Sequence, residues 1–161
     1  MHFCRVDRSA FYSQNRGLIP LDFSSVTISF YIHSTEDEDR LRRLVIERLG
    51  LDSSELEAEK IVGHFGNEIL SIRAHAIGAR ATVIAARIIE QLSNTARVST
   101  RAEIEKALDE HDSLYIRLDR QSLQDPLLSI SDEEPIRIKL KPRSRFGGRQ
   151  NMKREYEELI R

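Results

Sequence analysis

Pro135-Ile136-Arg137-Ile138-Lys139-Leu140-Lys141 alternates strictly between apolar and cationic residues after its opening proline. A strand turns successive side chains to opposite faces, so Ile136, Ile138 and Leu140 fall on one face and Arg137, Lys139 and Lys141 on the other. The first face requires a core, and the second is a charged row on the outside of a sheet. Same-face neighbours stand roughly 6.6–6.8 Å apart, a spacing comparable with successive phosphates of a nucleic-acid backbone, which makes RNA the first partner to test. The same pattern also suits a face that is merely solvated or that deters edge-to-edge pairing.

Arg143, Arg145, Arg149, Lys153 and Arg154 continue the row, and no Asp or Glu stands between Arg137 and Arg154. These eight cations belong to a chain of formal net charge -1, so charge is segregated within a neutral protein. Acidic stretches at residues 36–39, 52–59 and 103–112 balance it. Such polarity favours an oriented encounter with a polyanion.

The chain has 161 residues, 40% hydrophobic and 32% charged, enough to bury one sizeable core under a charged surface. Cys4 is the only cysteine, which rules out an intramolecular disulfide and fits a reducing cytoplasm. No apolar run approaches membrane-spanning length, and the first residues lack a signal-peptide pattern, so a soluble cytoplasmic protein is expected. The histidines (His2, His33, His64, His75, His111) are widely spaced and accompany no cysteine cluster, so neither a metal nor a cofactor is expected.

Working outward from the closing strand, residues 26–33 alternate Val26, Ile28, Phe30 and Ile32 with Thr27, Ser29, Tyr31 and His33, which predicts a strand with one buried face. Thr35 and Glu38 have the spacing of a capping box for a helix to about Leu49 with Leu41, Leu44, Val45 and Leu49 inward and Gly50 as its stop. Residues 57–62 and 69–75 predict a hairpin closed by Gly63-His64-Phe65-Gly66-Asn67. A helix over 79–92 is expected with Val83, Ala86, Ile89 and Leu92 inward. Thr100 with Glu103 predicts a capped shorter helix to about Leu108. Strands follow at 114–118, with Leu114, Ile116 and Leu118 inward, at 127–130, and at 136–140, and a terminal helix over 151–160.

The order of strands and helices predicts an α+β fold, a single two-layer domain whose mostly antiparallel sheet carries helices on one face. An irregular N-terminal arm (residues 1–24), the α+β domain (25–142) and a flexible basic C-terminal tail with a short helix (143–161) complete the organisation.

Four stretches in this order resemble a known family: Ile32-His33-Ser34-Thr35-Glu36-Asp37, Gly63-His64-Phe65-Gly66-Asn67-Glu68-Ile69, Leu114-Tyr115-Ile116-Arg117-Leu118-Asp119-Arg120-Gln121 and Glu134-Pro135-Ile136-Arg137-Ile138-Lys139-Leu140. The chain resembles the archaeal RNA-binding proteins described as predicted exosome subunits, with a fold like that of double-stranded-RNA-binding domains. The resemblance implies a compact RNA-binding fold in an archaeal cytoplasm, with exosome or other ribonucleoprotein components as partners and no known reaction.

Three groups are candidate RNA contacts. The first is the cationic row Arg137, Lys139, Lys141, Arg143 and Arg145. The second is the glycine-bounded loop, where Phe65 has the chemistry to stack on an unpaired base and His64 and Asn67 to hydrogen-bond to it. The alternative there is a plain turn with Phe65 folded onto the core. The third is Arg117, Arg120 and Gln121, which meet the cationic strand if the two strands are neighbours; local ion pairs and a structural amide explain them equally well. The leading expectation is a non-catalytic RNA-binding protein, an accessory factor of RNA processing or degradation, that reads shape more than sequence because few stacking platforms are evident. A protein-interaction component of an assembly is the alternative. A metal-dependent nuclease using Glu36, Asp37, Glu38 and Asp39 is a third, although a helix start explains that acidic run more simply.

Overall fold

The protein's structure, a computed structural model, describes residues 21–144 and 147–161. The expected N-terminal arm lies outside the described residues up to position 20, as do Arg145 and Phe146. Five strands, β1 (Phe23–His33), β2 (Leu56–Val62), β3 (Glu68–Ile77), β4 (Leu114–Leu118) and β5 (Ile136–Pro142), form one sheet in the order β2-β3-β1-β5-β4. Every neighbouring pair is antiparallel. Five helices accompany them: α1 (Glu38–Leu49), α2 (Gly78–Gln91), α3 (Asn94–Ala102), α4 (Ile104–Ala107) and α5 (Gly148–Leu159). The α+β class is therefore as expected.

Alternation in β1, β4 and β5 sorts their side chains as the sequence required. Val26, Ile28, Phe30, Ile32, Leu114, Ile116, Leu118, Ile136, Ile138 and Leu140 are all buried. They meet Leu41, Val45 and Leu49 of α1 and Ala81, Ile84, Ala85, Ile88 and Ile89 of α2 in a single core. Helices cover that face because it carries the continuous apolar surface, at roughly 1.5–3 kcal/mol per buried large aliphatic side chain. Phe23 joins β1 to α5 through its tilted contact with Tyr156, ring centroids 6.4 Å apart. Tyr156 is fully buried and donates its hydroxyl proton to the Asp112 carbonyl at 2.9 Å. Burial pushes its phenol well above the ordinary range.

Four local expectations need correction. The N-cap of α1 is Asp37, whose carboxylate accepts from Arg40 N–H at 3.0 Å, and not Thr35; Glu38 bonds forward to Arg42 instead of back to a capping residue. In α2 and just after it Ile89 and Leu92 are buried as expected, but at the start of the stripe the inward residues are Ile84 and Ala85 in place of Val83 and Ala86: Val83 is 60% exposed and Ile84 1%. Two inward β-branched residues, Ile84 and Ile88, set the helix phase, and a stripe drawn through Val83 counts the apolar residue beside it. Thr100 is buried inside α3, which Ser93 caps by accepting from Ala96 N–H at 3.1 Å, so the turn before α4 is the end of one helix rather than the capped start of another. Residues 127–130 form only isolated bridges, Leu92 with Leu128 and Leu118 with Ile130. That segment is drawn under the helical layer by Leu128, which is fully buried.

Candidate nucleic-acid interface

The strand register lays the polar face of the sheet out in rows. One row runs Glu57, Arg73, Ser29, Arg137, Arg117 across all five strands from β2 to β4. The next runs His75, Thr27, Lys139, Tyr115, and a third runs Ile77, Ser25, Lys141. Along β5 the same surface carries Arg137, Lys139 and Lys141. Among the described residues every helix packs on the opposite, apolar face or at its margins, and Arg73, His75, Tyr115, Arg117, Arg137 and Lys141 are exposed. Arg117 and Arg137 are direct cross-strand partners, a like-charge pair that is unfavourable unless an anion lies over it.

The cations of this surface differ in their commitments. Arg117 pairs at 2.8 Å with Asp132, but both side chains are well exposed, so water screens the contact. Lys139 is engaged more firmly: its ammonium lies 3.1 Å from Asp109 and 5.2 Å from the centroid of the Tyr115 ring. The Tyr115 hydroxyl and then the Asp109 carboxylate tighten the hold of Lys139 on its proton. Asp109 in turn resists ionisation through its burial, yet N–H donors from Ser113 and His111, together with Lys139, outweigh that effect and hold its carboxyl down at about 2. Arg137 has no carboxylate partner among the described residues and lies 5.6 Å from the centroid of Tyr31. Lys141 and Arg143 are exposed and likewise have no ion pair among the described residues.

Tertiary structure divides the remaining candidates. Arg120 leaves the set: only 13% of its side chain is exposed, and it is clamped to Glu36 at 2.7 Å, the Tyr31 carbonyl at 3.0 Å and the Glu134 carbonyl at 2.9 Å. It ties the start of α1 and the lead into β5 to β1, which uses its donors internally. Gln121 opens a short 3₁₀ turn, Gln121–Gln124, that is joined to α1 through Arg40 and Gln124; it is exposed but belongs to no row of the sheet. Arg149 and Lys153 of the tail do not continue the row either. Arg149 contacts Asp112 at 3.3 Å and the Asp109 and Leu108 carbonyls, and Lys153 pairs with Glu105 at 2.8 Å, so α5 uses these two cations to dock on the segment leading into β4.

His64, Phe65 and Asn67 stand at the tip of the β2–β3 hairpin, on the far side of β1 from β5. Gly63 N–H donates to the Asn67 carbonyl at 2.8 Å and closes the loop, while Gly66 takes a positive φ of 79° that glycine tolerates without strain. Phe65 does not fold back as a lid: it is 93% exposed and meets His64 edge to face with centroids 5.2 Å apart. Three residues of the acidic run at 36–39 are engaged as well, Glu36 with Arg120, Asp37 as a cap and Glu38 with Arg42. Burial opposes ionisation of Glu36, but the His33 N–H and Arg120 prevail and keep its carboxyl below the ordinary range. Sequence reasoning missed Arg73, Tyr31 and Tyr115 as parts of the interface. Their signal was present in the same alternation, since each sits between residues that are buried.

An antiparallel sheet with helices on one face and a cationic row on the other is the class of structure to which this chain belongs. The family model described as RNA binding matches residues 25–142, and the chain belongs to that family. Three solved structures share the fold. A DUF54 protein from Archaeglobus fulgidus is 23% identical with a TM-score of 0.70, covering 85% of this chain and 99% of its own. A DUF54 protein from Methanothermobacter thermautotrophicus is 19% identical with a TM-score of 0.70, covering 87% and 99%. A third from Sulfolobus solfataricus is 19% identical with a TM-score of 0.69, covering 84% and 96%. No curated protein matches the chain.

Proposed function

We propose that this protein is a non-catalytic RNA-binding module that receives RNA on the polar face of its sheet, centred on β5. The observation that carries this reading is the opposition of two faces in one strand. Ile136, Ile138 and Leu140 are each 0% exposed, which fixes the strand in the core and holds Arg137, Lys139 and Lys141 in a row on the other side. A row set by a buried strand has its backbone already ordered when phosphates bind, so only side-chain freedom is lost. The cellular role that fits is an accessory factor of RNA processing or degradation in the cytoplasm, docking RNA to an exosome or another ribonucleoprotein assembly; resemblance alone supports the exosome connection.

Changing Arg137, Lys139 and Lys141 together to glutamine tests the reading, because the buried face of β5 is untouched. Binding of labelled RNA should weaken, and the slope of log affinity against log salt should fall by about 2 units, at roughly 0.7–0.9 for each phosphate no longer neutralised. Equal affinity and slope in a variant that retains its circular-dichroism spectrum would refute it. A protein-docking role is favoured by a different observation, the apolar tip of the β2–β3 hairpin, where Phe65 is 93% and Val62 77% exposed. Association through that tip would be nearly independent of salt and would be abolished in Phe65→Ser.

A further inference from the structure

We infer that the sheet face takes single-stranded RNA, with Tyr31 and Tyr115 as base-stacking platforms and Arg73 as an additional phosphate contact. This rests on the RNA-binding reading above and specifies the kind of RNA. Aromatic residues of the core, Phe23, Phe30 and Tyr156, are at most 2% exposed, whereas Tyr31 and Tyr115 are 40% and 42% exposed on the polar face. Each ring stands beside a cation of the row, Tyr31 beside Arg137 and Tyr115 beside Lys139. Stacking platform and cation are therefore adjacent twice on one surface, with Arg137 free of any carboxylate partner among the described residues and Lys139 shared with Asp109, a combination suited to nucleotides whose bases are free.

Two exposed rings on one surface select against a duplex. Tyr115 shares a row with Thr27, and Tyr31 lies four residues further along β1, two strands away from β4. Strand spacing and rise place the two positions about 17 Å apart along a diagonal. Consecutive stacked bases rise by about 3.4 Å, so the rings stand about five stacked nucleotides apart, and a base that stacks on either ring has to leave a neighbouring base to do so. Arg137 lies on β5 midway along that diagonal. A duplex hides its base faces inside the stack and offers the tyrosines nothing but sugar and phosphate.

Charge bounds the path on one side. Arg73, on β3, is exposed and has no ion-pair partner among the described residues, while Glu57 and Glu59 of the edge strand β2 occupy the same face beyond it. The anionic edge confines a polyanion to the surface of β3, β1, β5 and β4. Cross-strand packing of two tyrosines against their neighbours is the competing explanation of their placement, and it predicts no effect of the rings on RNA affinity.

The test compares the full chain with Tyr31→Leu, Tyr115→Leu, Arg73→Gln and the two Tyr→Phe variants, using a labelled single-stranded RNA and the same sequence annealed to its complement. The single strand should bind more tightly than the duplex. Each leucine variant should weaken single-strand binding by roughly 5- to 100-fold and leave duplex binding unchanged, while the phenylalanine variants keep the affinity because the ring is retained. Arg73→Gln should lower the salt slope by about 1 unit or slightly less. Duplex preference, or leucine variants that bind the single strand as the parent does, would overturn this inference while the sheet-cation reading survives. A parent protein that binds neither RNA would overturn both.

Discussion

Replacing Arg120 by methionine removes a guanidinium that donates to Glu36, to the Tyr31 carbonyl and to the Glu134 carbonyl at 2.7–3.0 Å, while keeping most of the side chain's apolar volume. Hydrogen bonds involving a charged group contribute about 1.5–3 kcal/mol each, and they are not additive within one cluster. Glu36 keeps its bond from His33 N–H at 2.8 Å and is 29% exposed, so water and that donor recover part of the loss. The expected destabilisation is about 3 kcal/mol, or a fall of roughly 6–12 °C in Tm for a chain of this size. Acid should narrow the difference. The folded-state carboxyl of Glu36 sits below its ordinary value of 4.5, so its stabilisation is full above about pH 4.5 and is lost as pH falls through the lowered value. Denaturant melts from pH 3 to 7 would measure this, together with RNA titrations at a temperature where both proteins are folded. RNA affinity should stay within two-fold, roughly 0.4 kcal/mol. A variant as stable as its parent but impaired in RNA binding would show that Arg120 faces the ligand and that its clamp geometry is misread.

Two further outcomes rest on the same structure. Asp109→Asn should cost roughly 2 kcal/mol at neutral pH, because the carboxyl is held at about 2 against an ordinary 3.8; melts compared across pH 2–7 should show that difference present above about pH 4 and closing as pH falls toward 2, and a difference independent of pH would contradict the assignment. In α2, Ile84→Ala should lose about 2–5 kcal/mol and Val83→Ala less than about 0.5 kcal/mol, since Ile84 is 1% and Val83 60% exposed; paired urea denaturation curves settle the helix phase, and comparable losses would place both residues in the core.

Sequence alone determined the elements whose signal is periodic and local. Alternation located β1, β4 and β5 and assigned their faces, because a strand's two-residue period leaves each side chain only two directions. Gly63 and Gly66 marked the hairpin for a similar reason, since turn geometry is decided by a few consecutive residues. Helix phase was less legible: in α2 the apolar residues Val83, Ile84, Ala85 and Ala86 are contiguous, and only packing against β1 decides which of them turn inward. Charge was legible as composition but not as surface. Arg149 and Lys153 read like the continuation of Arg137, Lys139 and Lys141, yet their carboxylate and carbonyl partners come from segments 37–48 residues away, and the Glu36 that holds Arg120 is 84 residues away. Arg73 belongs with Arg137 and Arg117 because β1 lies between β3 and β5. Periodicity assigns a residue to a face; the order and register of the strands decide which residues share that face, and those depend on contacts between distant segments that no local pattern encodes.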